Sequence, residues 1–341
     1  MLRTSQAKIG DVKTIKKSLA GLIAATTLTG LAVTSGTALA DSLSSPEVTA
    51  LEQTAASYIR FRQDVATIES TPFDNAAATR DAHKRLAAHD SNALSSGWVA
   101  YAALVAADTP DFARALEKEV KSSKKYGKRR LKGKDAFFAK LSEDPTYPRK
   151  LEGAQAAIDR VLAMTAQDAQ RFNKLGESFK EQAYAMQKTK WGKKRIASSS
   201  ERINEASQYA SSRSSASVPP MTPATDNGVT MPTLSSADSN WAYDWGTNNA
   251  YGSMSEPNAQ VIMNRVLNLA ARYAVGGMND KIIEVYSKNN KSERCLSMAK
   301  LTLNQCIAAT RTPYEEAFCL GEHGLNDIGG CVGWVAGAGA S

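Results

Sequence analysis

The 341-residue chain holds only three histidines and four cysteines, and no cysteine precedes Cys295. So few imidazoles leave little from which to assemble a Ser-His-Asp triad, and no Gly-x-Ser-x-Gly elbow occurs. Cys-x-x-Cys and Cys-x-x-Cys-His are both missing, which removes a thioredoxin-type redox centre and covalent haem attachment. His83 and His89 lie ~240° apart around a helix and share no face. Cys319 and His323 have a ligand-like i, i+4 spacing, but other ligands are lacking and the cysteine is better explained by oxidation. No metal and no cofactor is expected. No glycine-rich loop follows a strand pattern, so phosphate cradles are not indicated. With 22 glycines and 11 prolines, collagen-like and wholly disordered classes are excluded. Beyond the N-terminus no run approaches the ~20 apolar residues of a membrane-spanning helix.

What is present begins with an export signal. Lys13, Lys16 and Lys17 lead into an apolar run from Leu19 to Leu31, which closes on Ala38, Leu39 and Ala40 before Asp41. Residues 1–40 therefore read as a cleavable signal peptide, with neither a twin-arginine pair nor a lipoprotein cysteine. The mature chain is expected to be periplasmic or extracellular, with no transmembrane segment left after cleavage. The formal charge of +8 falls to +4 when five Lys/Arg and one Asp leave with the signal.

The remaining charge is segregated. Residues 118–134 hold nine basic side chains and one acid, and Lys188, Lys190, Lys193, Lys194 and Arg195 form a second run. Such a dipolar chain points to an anionic partner. Export disfavours nucleic acid, so the expected partner is an anionic cell-wall polymer or an envelope protein. Lys124, Lys125, Lys128, Arg129 and Arg130 are the expected contacts.

The fold class expected is all-α: an N-terminal helical bundle (residues 41–196) and a small disulfide-stapled helical hairpin domain (256–341). Ser44 and Glu47 have capping-box spacing, and Leu51, Ala55, Tyr58 and Val65 continue one apolar stripe. A helix is expected over Asn75–His89, and Leu94–Ala107, apolar on nearly every face, reads as a buried central helix. From near Pro148, Leu151, Ile158, Thr165, Phe172, Phe179 and Met186 fall seven apart. Ala154, Val161 and Leu175 fill intervening positions, with Asp168 and Gln182 as polar exceptions; this heptad pattern predicts the long spine of a bundle.

Residues 197–255 read as a linker, since 197–240 alone contain 12 Ser, 4 Thr and 4 Pro. It ends in Trp241, Tyr243 and Trp245, alternating aromatics that would share one face of an extended segment and stack on sugar rings, or else pin the linker to a helix.

An exported chain with four cysteines should form disulfides. Ser292 is expected to cap a helix running to about Thr310, and Thr312, Pro313 and Glu315 to open the next. Folding back about residues 311–313 sets Cys306 opposite Cys319 and Cys295 opposite Cys331, a nested pattern. Gly324, Gly329 and Gly330 are expected to end the second helix early.

The function expected is a non-catalytic binding or structural role in the cell envelope, with the basic end on its anionic partner. One alternative is a peptidoglycan-active glycan hydrolase. Among Glu315, Glu316, Glu322 and Asp327, Glu322 alone has no evident structural task and is the weak catalytic candidate. A second alternative is a lipid or small-ligand carrier with an apolar cavity lined by the Trp98–Val105 helix.

Overall fold

The computed structural model describes residues 49–122, 131–214 and 256–335. Residues 1–48, 123–130, 215–255 and 336–341 lie outside them. The described residues are helical: α1 (Ala50–Ser70), α2 (Ala76–Ala87), α3 (Ser91–Ala107), α4 (Pro110–Ser122) and α5 (Gly133–Glu143) precede a 3-10 turn at Tyr147–Lys150. Then follow α6 (Ala154–Met186), α7 (Ser199–Ser214), α8 (Glu256–Val275), α9 (Asp280–Ser287), α10 (Asn290–Ala309), α11 (Pro313–Cys319), a π-helical segment (Leu320–Asn326) and α12 (Asp327–Val335).

Helix starts follow local capping chemistry. The described chain opens on a second box, C-terminal to the Ser44–Glu47 spacing, which lies outside the described residues. The Thr49 N–H donates to Glu52 Oε2 at 2.7 Å and Thr49 Oγ1 accepts from the Glu52 N–H at 3.3 Å. Asn75 caps α2, accepting from the N–H groups of Ala77 and Ala78. Asn289, not Ser292, caps α10: its Oδ1 accepts the Ser292 N–H at 3.3 Å, which leaves Ser292 buried inside the first turn. An Asn side chain ahead of a helix outcompetes a Ser that is already helical.

The apolar periodicities become the core. Leu51, Ala55, Tyr58 and Val65 of α1 are fully buried against α3. Every residue of α3 from Trp98 to Ala107 is buried, because α1, α6, α8 and α10 surround it. In α6 all the seven-spaced residues from Ile158 to Met186 are buried, as are Ala154, Val161, Asp168, Leu175 and Gln182. Phe172 packs edge-on against Phe61 at 5.1 Å and Phe179 lies 4.5 Å from Phe73. The helix begins at Ala154 rather than near Pro148, because the 3-10 turn and left-handed Gly153 (φ 77°) intervene; at 1.5 Å per residue its 33 residues span ~50 Å.

Two features of the organisation bear on the expected linker. Among the described residues, a single core draws side chains from both sides of the expected linker. Helix α8 lies on α3, while α11, the π segment and α12 lie on α6. The 256–341 stretch is thus the other wall of the bundle, since neither α3 nor α6 could cover its apolar surface without it. Second, residues 199–214 of the expected linker are a helix packed on α2 and α10. Side chains that make it stick are polar: Arg202, Glu205, Tyr209 and Arg213 recur at three- and four-residue steps, a stripe that hydrophobic periodicity does not reveal.

The disulfides are nested as expected, Cys295–Cys331 with Cα atoms 5.6 Å apart and Cys306–Cys319 with Cα atoms 5.7 Å apart. The glycines do not end the second helix, which continues through the π segment to Val335. Gly329, with Gly321 ahead of it, sits where α6 comes close, whereas Gly324 faces Leu86 and Leu303 and Gly330 has nothing within 4 Å. A Cβ on Gly176 would fall 2.0 Å from Asn326 Oδ1 and 2.7 Å from the Gly321 carbonyl, and one on Gly329 would fall 2.2 Å from Asn173 Oδ1. The π segment also resolves the unequal cysteine spacing. Cys295 and Cys306 are eleven residues apart and share a helix face, whereas the twelve residues between Cys319 and Cys331 would turn an ideal α-helix ~100° too far. A π turn closes i→i+5 bonds and accommodates one additional residue, which returns Cys331 to the required face.

Candidate functional site

Charged side chains at the helix seams form compact networks. Arg202, 1% exposed, ties four elements together. Its Nη1 donates to Glu316 Oε1 at 2.6 Å, its Nη2 to Thr310 O (3.1 Å) and Oγ1 (2.9 Å), and its Nε to Ala197 O (3.1 Å). Glu316 also meets His83 Nδ1 at 2.9 Å. Burial alone would raise the Glu316 carboxyl, but the hydrogen bond from His83 and the Arg202 charge outweigh it and hold it below the ordinary range.

Asp64 is a second hub. His89 Nε2 lies 2.8 Å away, Arg85 Nη1 3.2 Å, and Arg213 makes a further ion pair. Against the burial that would raise it, His89 and Arg213 hold the Asp64 carboxyl low. Asp168, the polar exception on α6, accepts from Tyr58 at 2.9 Å and Arg62 at 3.1 Å; here burial dominates and raises the carboxyl.

Glu322 does have a structural task. It opens the π segment, and its Oε2 accepts from Lys180 Nζ at 2.9 Å; Lys180 also meets Glu177 at 2.7 Å. Burial alone would lower the Lys180 ammonium, but these two carboxylates hold it above its ordinary value. The rest of the carboxylate cluster is occupied too: Glu315 accepts the N–H groups of Arg311 and Thr312, and Asp327 faces His323 at 2.9 Å. Glu322, the weak candidate for glycan chemistry, is thus a partner of Lys180 across the seam with α6.

Lys124, Lys125, Lys128, Arg129 and Arg130 lie outside the described residues, as do Trp241, Tyr243 and Trp245. The ends that flank 123–130 are described. Lys118, Lys121, Lys132 and Lys134 are exposed, and Glu119, the acid of that run, meets Lys140 at 2.5 Å. Lys140 in turn donates to Tyr147 at 3.3 Å, just ahead of α6, and the start of α4 abuts Gly153. The described residues that flank 123–130 therefore lie toward the N-terminal end of α6. The second run follows Met186 at the other end, roughly 50 Å away. The spine thus lies between the second run and the described flanks of the first.

The Trp98–Val105 helix lines neither of the two best-formed pockets. The larger, about 390 Å³, is a groove between the last turns of α6 and the α10–α11 hairpin, with Tyr184, Ala309, Tyr314 and Phe318 on its walls and the Cys306–Cys319 bridge beside them. Sequence reasoning missed it because its residues come from three segments and none is unusual alone. Among the described residues, no group of three or more His, Cys, Asp or Glu is placed to hold a metal ion, and no helix is long and apolar enough to cross a membrane. No known protein family, curated protein or solved structure matches this chain.

Proposed function

We propose that this is an exported cell-envelope protein with a non-catalytic binding role, whose basic run over residues 118–134 holds an anionic wall polymer or an acidic envelope protein. One observation carries the reading. Glu316, Asp64, Asp168 and Glu322 are each paired with Arg, Lys or His across helix seams, whereas Lys118, Lys132 and Lys134 are exposed and make no ion pair among the described residues. Paired charges hold the bundle together, and unpaired like charges are left for a partner. The two disulfides support an oxidising compartment.

The test is co-sedimentation of the chain from Asp41 onward with isolated sacculi, together with assay of the supernatant for released glycan. Binding is expected without release. Replacing Lys124, Lys125, Lys128, Arg129 and Arg130 with Gln should leave the fold intact and weaken binding about tenfold at low salt, less at high salt. Undiminished binding by that variant would remove the proposal. Glycan release that is lost in Glu322→Gln would replace it with the hydrolase.

A further inference from the structure

The groove at the C-terminal end of α6 has a different character from the basic run over residues 118–134. Its volume of about 390 Å³ falls within the ~300–1,000 Å³ of small-molecule sites. The Tyr184 and Phe318 rings meet edge-to-face at 6.3 Å, and Ala309 is exposed at the end of α10.

Two of the polar side chains on the walls, Thr310 and Glu315, are already engaged within the protein. Thr310 Oγ1 accepts from Arg202 and donates to the Ile307 carbonyl, while Glu315 Oε2 accepts two backbone N–H groups. An alkyl chain needs no polar partner there.

The rim is basic, and the backbone fixes it in place. Tyr314 N–H donates to the Gly192 carbonyl at 3.5 Å, and Ile196 N–H donates to the Arg311 carbonyl at 3.0 Å. Between those two ties run Lys193, Lys194 and Arg195, all exposed and without an ion pair among the described residues; Arg311 is exposed beside them. Gly192 is held against the end of α6, since a Cβ there would fall 2.0 Å from the Met186 carbonyl oxygen. Four cations thus lie on backbone segments tied to Tyr314 and Arg311, outside the wall itself, whose charged lining residue is Glu315.

We propose that this groove takes a single-chain anionic amphiphile of the fatty-acid type. The alkyl chain lies over Tyr184, Phe318 and the Cys306–Cys319 bridge, and the carboxylate faces Lys193, Lys194, Arg195 and Arg311. The neighbouring cations favour this occupant over a neutral apolar one, and the apolar Ala183, Ala309 and Phe318 surfaces with the bridge favour an alkyl chain.

The probe is cis-parinaric acid, whose fluorescence rises in apolar surroundings, titrated into the purified chain with both disulfides intact. Saturable one-to-one enhancement is expected, displaced by palmitate. Ala309→Trp fills the groove and should abolish it, whereas Ala308→Trp, exposed on the same turn but off the groove wall, should not. Matching thermal melts establish that both variants fold. Replacing Lys193, Lys194 and Arg195 with Gln should weaken uptake about tenfold at low salt, and the probe's methyl ester should bind the unaltered protein about as weakly. The proposal fails if no saturable signal appears, if Ala309→Trp binds as Ala308→Trp does, or if ester and acid bind alike. A dimer that Ala309→Trp dissociates, without probe uptake, would give the groove to a second copy and also overturn it. Sacculus binding should be untouched by Ala309→Trp, so the two proposals stand or fall separately.

Discussion

Arg202→Met tests whether buried charge holds α7 to the bundle. Methionine keeps much of the side-chain length but removes the guanidinium and its donors. Glu316, 1% exposed, would then face only His83. The Thr310 and Ala197 carbonyls would lose their Arg202 donors, whereas the Ile307 carbonyl keeps the Thr310 N–H at 3.2 Å. Breaking a buried pair by removing one partner costs ~3–5 kcal/mol, mostly because the remaining charge is left uncompensated. Urea unfolding followed by far-UV circular dichroism would read that loss, with faster proteolysis near Ser199–Ser214 as a local signature. The double variant Arg202→Met/Glu316→Gln removes the stranded charge and should recover at least half of the deficit. A single variant within ~1 kcal/mol of the parent, or a double as unstable as the single, would refute the uncompensated-charge reasoning.

Three further predictions follow from the seams. Gly321→Ala would place a Cβ 2.6 Å from the Gly176 carbonyl, so it should cost ~1–3 kcal/mol and lower the melting temperature, whereas Gly330→Ala, with nothing within 4 Å, should not. Asp64→Asn should lower stability at pH 7 and flatten its dependence on acid. The folded Asp64 carboxyl is held low, so its contribution is present above the unfolded pKa of ~3.9 and is lost as pH falls through the lower folded value; urea midpoints across pH would show it. Removing the inner bridge with Cys306→Ser/Cys319→Ser frees a loop with sequence separation 13 and should cost about 3 kcal/mol, read by thermal denaturation.

Much of the fold is legible where apolar residues recur on a helical period. The stripe of α1, the wholly apolar α3 and the seven-residue recurrence of α6 each become buried surface. The disulfide pairing is legible because Thr312, Pro313 and Glu315 mark the reversal, and the reversal sets which cysteines oppose one another. What escapes is information held by pairs far apart in the chain. Arg202 reads as part of a serine-rich linker until Glu316 and Thr310 are seen around it. Gly329 reads as a helix breaker until α6 lies against it. Composition likewise separates 256–341 from the bundle, yet α3 and α6 are apolar on too many faces to be covered by 41–196 alone. The candidate site shows the same limit: the cations of 188–195 are visible in sequence, but the groove beside them exists only after α6, α10 and α11 meet.

The π segment makes the last helix asymmetric toward changes of length. Losing one residue from 320–326 would let the segment relax into an ordinary α-helix, with Cys319 and Cys331 eleven apart and still able to bridge their partners. Glu322 and Asn326 would rotate away from α6, taking with them the Lys180 and Glu177 bonds. Gaining one residue offers no such relief, because Cys331 would swing by ~100° and the outer bridge would have to break or distort. Natural variants of this chain should therefore show shortening in that segment far more often than lengthening.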